Sequence, residues 1–407
     1  MYIGNVMKSF FLMALALTSV SVFAAPGKLS NFNPDISLVL DARLAFMENS
    51  SGGYELPGFM LGGEAGVSEQ GFSLGHSELS LSSNIDDLYF GKFTMAITEH
   101  DGESTTEIEE AFIQSLALGE GFTLLAGRFF SGIGYQNSQH AHAQSFSDAP
   151  LVYSAMFGNN LIEDGLQVTW LAPTDLFVQL GAESLSGKRY PSAGGANEGK
   201  GALSVFSKVG GDVNESHSWQ LGLNYFEADV QGRESGGHSH EGEAEAETPS
   251  FSGDSNVVGL DFVWKWAPLG NVKVENVVVQ TEVFKREEEG VVTMLNSSPL
   301  EESSVKSDQL GWYAQVVHQF KPQWKWGARY GRLKSDNTGS DEDILSEAGL
   351  DDEGISPNRS SVMLQFSHSE FSRIRVQYNQ DNSYEDKDRQ LFLHYTMSLG
   401  AHGAHAF

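Results

Sequence analysis

The chain of 407 residues contains no cysteine. Disulfide-stapled secreted folds and cysteine-ligated zinc sites are therefore excluded. Basic residues are also scarce, since 25 Lys and Arg face 54 Asp and Glu, giving a formal net charge of -29 at pH 7. Such an excess of negative charge repels nucleic-acid phosphates and attracts cations, so we expect divalent cations, and no nucleic acid, among the partners.

Long apolar runs are confined to the N-terminus. Lys8 precedes an apolar stretch from Phe10 to Val20, and the residues up to Ala24 fit a signal-peptidase site. We predict that residues 1–24 are a secretory signal peptide. No later run is long enough for a transmembrane helix. The 44 glycines, 11% aromatic residues and only 11 prolines favour many strands over disorder.

Apolar and polar residues alternate along most of the remaining chain. In DISLVLDARLAF (35–46) the apolar residues fall at every second position, and Asp41 and Arg43 lie on the other face. The same alternation recurs in VVGLDFVWKW (257–266) and RIRVQY (373–378). Successive side chains of a strand point to opposite faces, so each segment predicts a strand with one apolar and one polar face.

Sixteen such strands are predicted, with short turns and long loops alternating between them. The strands lie near residues 36–47, 71–83, 88–98, 107–116, 121–130, 164–171, 176–184, 201–209, 217–229, 255–266, 271–284, 309–320, 324–333, 359–368, 373–380 and 389–400. The long loops lie near residues 48–70, 131–162, 185–200, 230–254, 285–308 and 334–357.

This arrangement is typical of an outer-membrane barrel. We predict an all-β fold, a transmembrane antiparallel β-barrel of about 16 strands, with long extracellular loops and short periplasmic turns, in the outer membrane of a Gram-negative cell. A barrel of this size is expected to enclose water rather than a packed core. A soluble β-sandwich also alternates. Long segments, aromatic residues near strand ends and the terminal Phe407 favour the barrel.

Several segments resemble a known family. FNPDISLVLDARL, GFSLGHSELSLSSNIDD, GLQVTWLAPTDLFVQLGAE, the C-terminal AHGAHAF and, above all, AGRFFSGIGYQNSQHAHAQSFSDAPLVYSAMFG resemble segments of proteobacterial outer-membrane proteins. These proteins are known as zinc-regulated outer-membrane receptors or porins and are distantly similar to phosphate-selective porins. The resemblance implies a single channel domain over residues 25–407, a homotrimer, and expression linked to zinc scarcity. It also implies that the third long loop, 131–162, folds into the barrel as a constriction.

Two properties of these relatives are not expected here. A TonB-dependent receptor needs an N-terminal plug domain, whereas the predicted strands begin at Ile36, soon after the signal peptide. Phosphate-selective porins carry a basic ladder along the pore, whereas this chain is strongly acidic. We therefore expect a receptor-like barrel without a plug and do not expect anion selectivity.

Histidines on the predicted constriction loop are the first candidate metal ligands. His140 and His142 face the same way if their segment is extended, and Asp148 follows closely. Imidazole and carboxylate groups bind zinc and other late transition metals. A transport site has to release its ion, so we expect transient zinc and no tightly bound cofactor. Alternatively, both histidines simply hold the loop against the barrel wall.

A second candidate lies in GGHSHEGEAEAE, on the loop near 230–254. His238 and His240 would face away from Glu241 and Glu243 in an extended chain, so a shared metal site needs a bend. The alternative is a solvated acidic segment that only enriches cations at the pore mouth. At physiological salt that attraction reaches about 8 Å.

The polar faces of the strands supply the predicted pore lining: Asp41, Arg43, Glu78, Glu110, Asp261, Lys265, Arg329 and Arg375. We predict no enzyme, because HExxH and phosphate-binding glycine motifs are missing from the sequence, and the GxSxG match GFSLG (71–75) lies within a predicted strand rather than in a nucleophile elbow. The predicted function is a porin-type channel for passive uptake of cations, and zinc is the divalent metal ion that we expect it to carry. The alternatives are a general or anionic-solute diffusion porin, or a non-transporting, metal-scavenging surface protein. Other expected partners are outer-membrane lipid and lipopolysaccharide.

Overall fold

The structure is a computed structural model that divides the chain into two units, residues 1–33 and 34–407. It describes residues 34–49, 54–62, 65–66, 69–100, 103–192, 197, 201–235, 248–383 and 387–400. The predicted signal peptide, residues 1–24, therefore lies outside the described residues. No helix among the described residues combines the length and the apolar character that crossing a membrane requires.

The described residues form one closed antiparallel sheet, in which neighbouring strands of the wall pair and β1 pairs with β17. The strands are β1 (Asp35–Phe46), β2 (Gly71–Leu74), β3 (Ser77–Asn84), β4 (Tyr89–His100), β5 (Glu103–Ser115), β6 (Phe122–Phe130), β7 (Ile162–Leu171), β8 (Phe177–Leu185), β9 (Ala202–Asn214), β10 (His217–Glu234), β11 (Pro249–Trp266), β12 (Asn276–Met294), β13 (Glu301–Lys321), β14 (Trp324–Gly339), β15 (Asn358–Ser369), β16 (Ser372–Asp381) and β17 (Asp388–Gly400). Because β2 and β3 pair with the same edge of β1, the wall has sixteen strands, which confirms the predicted fold.

The two faces of the wall differ as the alternation predicts. Leu223 pairs with Leu260 across β10 and β11, and both side chains are exposed on the outer face. At the neighbouring positions, Asn224 and Asp261 are buried inside, where the Asn224 amide donates to the carboxylate at 2.8 Å. An outward apolar surface suits lipid, while the inward polar groups find partners within the barrel.

The second strand of the wall is interrupted between β2 and β3. Gly75 lies in the gap, and a Cβ atom at this position would overlap the carboxylate of Asp41. The pairing with β1 shifts register across the gap, from Ala42 opposite Leu74 to Val39 opposite Glu78. The interruption therefore redirects the side chains that follow Gly75, beginning with His76.

Several strands are longer than predicted. Residues 285–294 and 301–308, expected in a long loop, continue β12 and β13 as paired strands. Likewise, 230–234 and 249–254 belong to β10 and β11, and 334–339 to β14. The predicted loop boundaries were wrong because these extensions are rich in Glu, Ser and Lys, which resembles a loop composition. Main-chain pairing tolerates polar side chains where water is available.

Residues 131–161, called the inner loop below, lie inside the barrel. They contain two 3-10 turns (Gln136–Ser138 and Ala141–Ala143) and the helix α1 (Leu151–Phe157). Every residue of α1 is buried. Helix α1 packs on Phe284 and Tyr313 of the wall, and a second short helix, α2 (Glu342–Glu347), contributes to the same apolar cluster. The expectation that the barrel encloses only water was wrong, because this part of the lumen is a packed core.

Candidate functional site

The inner loop is held by hydrogen bonds to strands far away in sequence. Gly134 donates its backbone N–H to Asn224 of β10 at 3.0 Å. Farther along, Arg375 of β16 donates to the carbonyl of Gln144 at 2.8 Å. Buried backbone groups need such partners, so the wall fixes the loop along its length.

Glu282 of β12 is the main anchor at the start of the loop. Its carboxylate accepts the backbone N–H groups of Tyr135 and Gln136 at 3.0 and 2.9 Å. It also accepts the hydroxyl groups of Tyr153 and Tyr313, at 2.7 and 2.5 Å. Burial and the neighbouring Glu282 raise the pKa of Tyr153 well above its ordinary value, so this phenol remains a donor.

Three histidines and three glutamates meet where the loop touches β3 and β5; we call this the His/Glu cluster. Its members are His76, Glu78, Glu109, Glu110, His140 and His142. His140 Nδ1 lies 3.1 Å from Glu78 Oε2 and 3.3 Å from Glu109 Oε2. His76 Nε2 lies 2.9 Å from Glu109 Oε1. Each of His76, Glu78 and Glu109 offers a ligand atom, and these atoms lie within 4.8 Å of one another.

The cluster is largely buried and strongly charged. Glu78 and Glu109 are 2% and 5% exposed. Burial by itself would lower the pKa of His140, but the adjacent carboxylates of Glu109, Glu110 and Glu78 outweigh burial and hold this pKa well above its ordinary value. The carboxylates therefore favour a positive charge at this position.

A cavity of about 580 Å³ borders the cluster. His76 and His142 line it on one side. Arg43, Arg373 and Arg375, called the arginine cluster below, line it as well. Arg373 donates to the carbonyl of His142. The cavity lining thus carries both carboxylate and guanidinium groups.

Asp148 belongs to a separate network. Its carboxylate accepts hydrogen bonds from Arg329 at 2.6 Å and Arg359 at 2.8 Å, and from the amides of Gln377 and Asn379. Burial would raise the pKa of Asp148, but the two guanidinium groups lower it to about 2. These contacts fix the middle of the inner loop to β14, β15 and β16.

The predicted site residues are distributed as follows. His140 and His142 are together, whereas Asp148 is in the arginine network rather than with them. His238, His240, Glu241 and Glu243 lie outside the described residues. The residues predicted to line the pore are buried or partly buried on the inner face: Asp41, Arg43, Glu78, Glu110, Asp261, Lys265, Arg329 and Arg375.

Two cluster members, His76 and Glu109, were missed by the sequence prediction. Glu109 is the extra residue of a β-bulge, since Thr94 pairs with Glu110 while Met95 pairs with Ile108. A bulge places adjacent residues on the same face, which strict alternation forbids. For His76 a signal existed, because HSE places it two residues before Glu78, on the same face of an extended chain.

Comparisons with known proteins agree with this architecture. No protein-family model matches the chain. An uncharacterized protein of Aquifex aeolicus (strain VF5) is 31% identical over 409 residues, covering 92% of this chain and 80% of the relative.

Solved structures of outer-membrane proteins share the fold. The channel DcaP of Acinetobacter baumannii matches with a TM-score of 0.54 at 10% identity, over 92% of this chain and 100% of that chain. OmpF of Salmonella typhi, in complex with daunomycin, matches at 0.53 and 13% identity, over 91% and 98%. The trimer form of OmpT of Vibrio cholerae matches at 0.52 and 11% identity, over 90% and 99%. The chain therefore belongs to the same family as the Aquifex aeolicus protein, and its fold is that of the outer-membrane porins.

Proposed function

We propose that the chain is a passive outer-membrane diffusion channel that prefers cations and admits divalent metal ions. Zinc is the first candidate among these ions. The carrying observation is the position of His140 and His142, which the inner loop presents to three wall glutamates, with His142 also lining the cavity. Imidazole and carboxylate groups at this point offer transient ligands to a passing ion. The net charge of -29 enriches cations at the channel entrance.

The setting of this channel is also proposed. Outer-membrane lipid and lipopolysaccharide would surround the apolar belt. A homotrimer is supported by the trimer form in which OmpT was solved. Expression linked to zinc scarcity and export by a signal peptide remain predictions from the sequence, as does the lack of enzymatic activity.

Recordings from planar bilayers test the transport proposal. In a salt gradient, the reversal potential should have the sign of cation preference, and micromolar zinc should reduce the monovalent current. The variant His140→Ala with His142→Ala should abolish the zinc effect. His368→Ala, which alters an exposed histidine on β15, is the matched control and should behave as wild type. An anion-type reversal potential would reject cation preference, and a protein without channels would favour the surface-protein alternative.

A second candidate function is diffusion of anionic solutes. The arginine cluster favours it, because Arg373 and Arg375 donate to neutral oxygens of the loop and of Gln365, and these oxygens carry no full negative charge. Arg43 pairs with Asp41 at 3.9 Å. The arginine cluster thus places three guanidinium groups along one part of the cavity wall.

The arginine cluster provides its own prediction. Arg43→Gln combined with Arg373→Gln should lower the anion-to-cation permeability ratio by several fold, since two positive charges leave the cavity wall. The bilayer reversal potential measures this ratio. Lys285→Gln, a charge removal at an exposed ion pair on β12, should leave it unchanged. If the wild type already prefers anions and the double variant loses that preference, the second function replaces the first.

A further inference from the structure

We propose that His76, Glu78, Glu109 and His140 together bind one resident divalent metal ion, and that this ion fastens the inner loop to the barrel wall. Zinc is the first candidate. This goes beyond the proposed transport function, because a resident ion holds structure and need not be the ion that passes. It also differs from the transient binding expected from the sequence.

The distances between the candidate ligand atoms suit a metal ion. Zinc binds nitrogen and oxygen at about 2.0–2.2 Å, so ligand atoms around a tetrahedral ion are roughly 3.2–3.6 Å apart. His140 Nδ1 is 3.1 Å from Glu78 Oε2 and 3.3 Å from Glu109 Oε2. His76 Nε2 is 3.5 Å from Glu78 Oε1 and 2.9 Å from Glu109 Oε1. His76, Glu78 and Glu109 offer ligand atoms within 4.8 Å of one another, and His140 faces the second oxygen of each of the two carboxylates.

Three of these atoms have no hydrogen-bond partner within the described structure, and this observation is independent of the clustering. Glu78 Oε2, Glu109 Oε2 and His140 Nδ1 are all buried, and none meets the geometry of a hydrogen bond. Leaving a buried charged oxygen without a partner costs free energy. The three atoms lie close together and lack hydrogen bonds. One cation bound between them would therefore interact with all three.

The local charge also fits a divalent ion. Glu110 is neutralised by Lys92, whose Nζ lies 2.6 Å away. Among the ion pairs of the described residues, Glu78 and Glu109 pair with histidines alone. With neutral histidines these two carboxylates carry two negative charges, which one divalent cation balances.

Groups behind the candidate ligands would hold them in place. His140 Nε2 lies 3.0 Å from Glu110, so this carboxylate can accept Nε2–H and leave Nδ1 free to bind the ion. His142 Nδ1 lies 2.8 Å from Glu78 Oε1, which orients the carboxylate from the other side. Glu110 and His142 are therefore positioning residues. His76 and His142 line the cavity, which gives the ion a route to the site.

Zinc titration of the purified full-length protein in detergent micelles, after treatment with a chelator, tests the proposal. Calorimetry should show one equivalent that disappears in Glu109→Gln. In Glu110→Gln the affinity should fall by about 10- to 100-fold, the usual effect of losing a group that orients a ligand. Glu275→Gln is the matched control, because Glu275 faces His318 at 3.1 Å in an isolated pair, and it should keep the equivalent. All variants carry His238→Ala and His240→Ala, so that the outer loop does not contribute.

Two further measurements do not depend on the folding of a variant. X-ray absorption of the zinc-loaded wild type should show imidazole and oxygen ligands. Hydrogen exchange should show slower exchange of residues 139–147 when zinc is added, because the ion ties this part of the loop to β3 and β5. Binding that is unchanged in both Glu109→Gln and Glu110→Gln, or zinc without imidazole ligands, would overturn the proposal and leave the histidines as partners of ion pairs. One bound equivalent in a channel without cation preference would reject the transport function while leaving this site intact.

Discussion

Asp148→Asn should lower the free energy of unfolding by about 3–5 kcal/mol, the usual effect of removing one partner from a buried ion pair. Arg329 and Arg359 would keep their charges and lose a shared carboxylate, although Arg359 retains Asp381 at 2.5 Å. The amide placed at Asp148 would also direct N–H groups at existing donors. Denaturant unfolding of the refolded protein in detergent micelles measures the change.

An exposed ion pair provides the control for this substitution. Asp308 pairs with Lys285 at 2.8 Å on the outer surface, where both side chains are about half exposed. Asp308→Asn should change stability by less than about 1 kcal/mol, since solvent screens such pairs. Equal effects of the two substitutions would show that the Asp148 network does not hold the loop.

The same carboxylate gives a pH dependence with a defined sign. The pKa of Asp148 is lowered to about 2 from an ordinary value of 3.8, so the unfolded chain binds a proton more readily than the folded one. Its contribution, roughly 2 kcal/mol, is complete above about pH 4 and is lost as the pH falls through about 2. Asp148→Asn should remove this acid sensitivity. A slope that persists in the variant would assign it to other carboxylates.

Glu282→Leu should destabilise the protein by at least about 4 kcal/mol, because four buried donors lose their acceptor and each costs about 1–3 kcal/mol. These donors are two backbone N–H groups of the inner loop and the hydroxyls of Tyr153 and Tyr313. Since the start of the loop is then no longer held, single-channel records should show frequent steps to a higher conductance.

Glu289→Leu tests whether the effect of Glu282→Leu is specific. This glutamate is on the same strand but exposed, so the same chemical change should alter stability by less than about 0.5 kcal/mol. Steady, wild-type conductance in Glu282→Leu would show that packing of α1, rather than the carboxylate, holds the loop in the lumen.

The wall of the barrel could be predicted from the sequence because lipid and lumen impose opposite requirements on alternate residues. In β11, the alternation from Val257 to Trp266 marks both the strand and its inward Asp261. The extensions of β12 and β13 were missed because, outside the membrane, no apolar face is required. Hydrogen bonds between main chains then define the strand, and side-chain composition does not reveal them.

The candidate site could be predicted only in part. His140 and His142 stood out by type and spacing, but the wall residues that face them depend on irregularities. The break at Gly75 and the bulge at Glu109 each shift the register locally, and a rule of strict alternation cannot anticipate them. Asp148 was assigned to the histidines because it is near them in sequence, whereas its charge is matched by arginines some 180 to 210 positions later.

The distant contacts of the inner loop bear on how the chain assembles. The carbonyls of His142 and Gln144 accept from Arg373 and Arg375, 231 positions later in each case. The loop is therefore made well before its partners, and these contacts form only when β16 joins the wall. Contacts so far apart in sequence are formed slowly. We expect loop docking and the final closure of β17 against β1 to occur as one late event, with earlier intermediates open to proteolysis within residues 131–161.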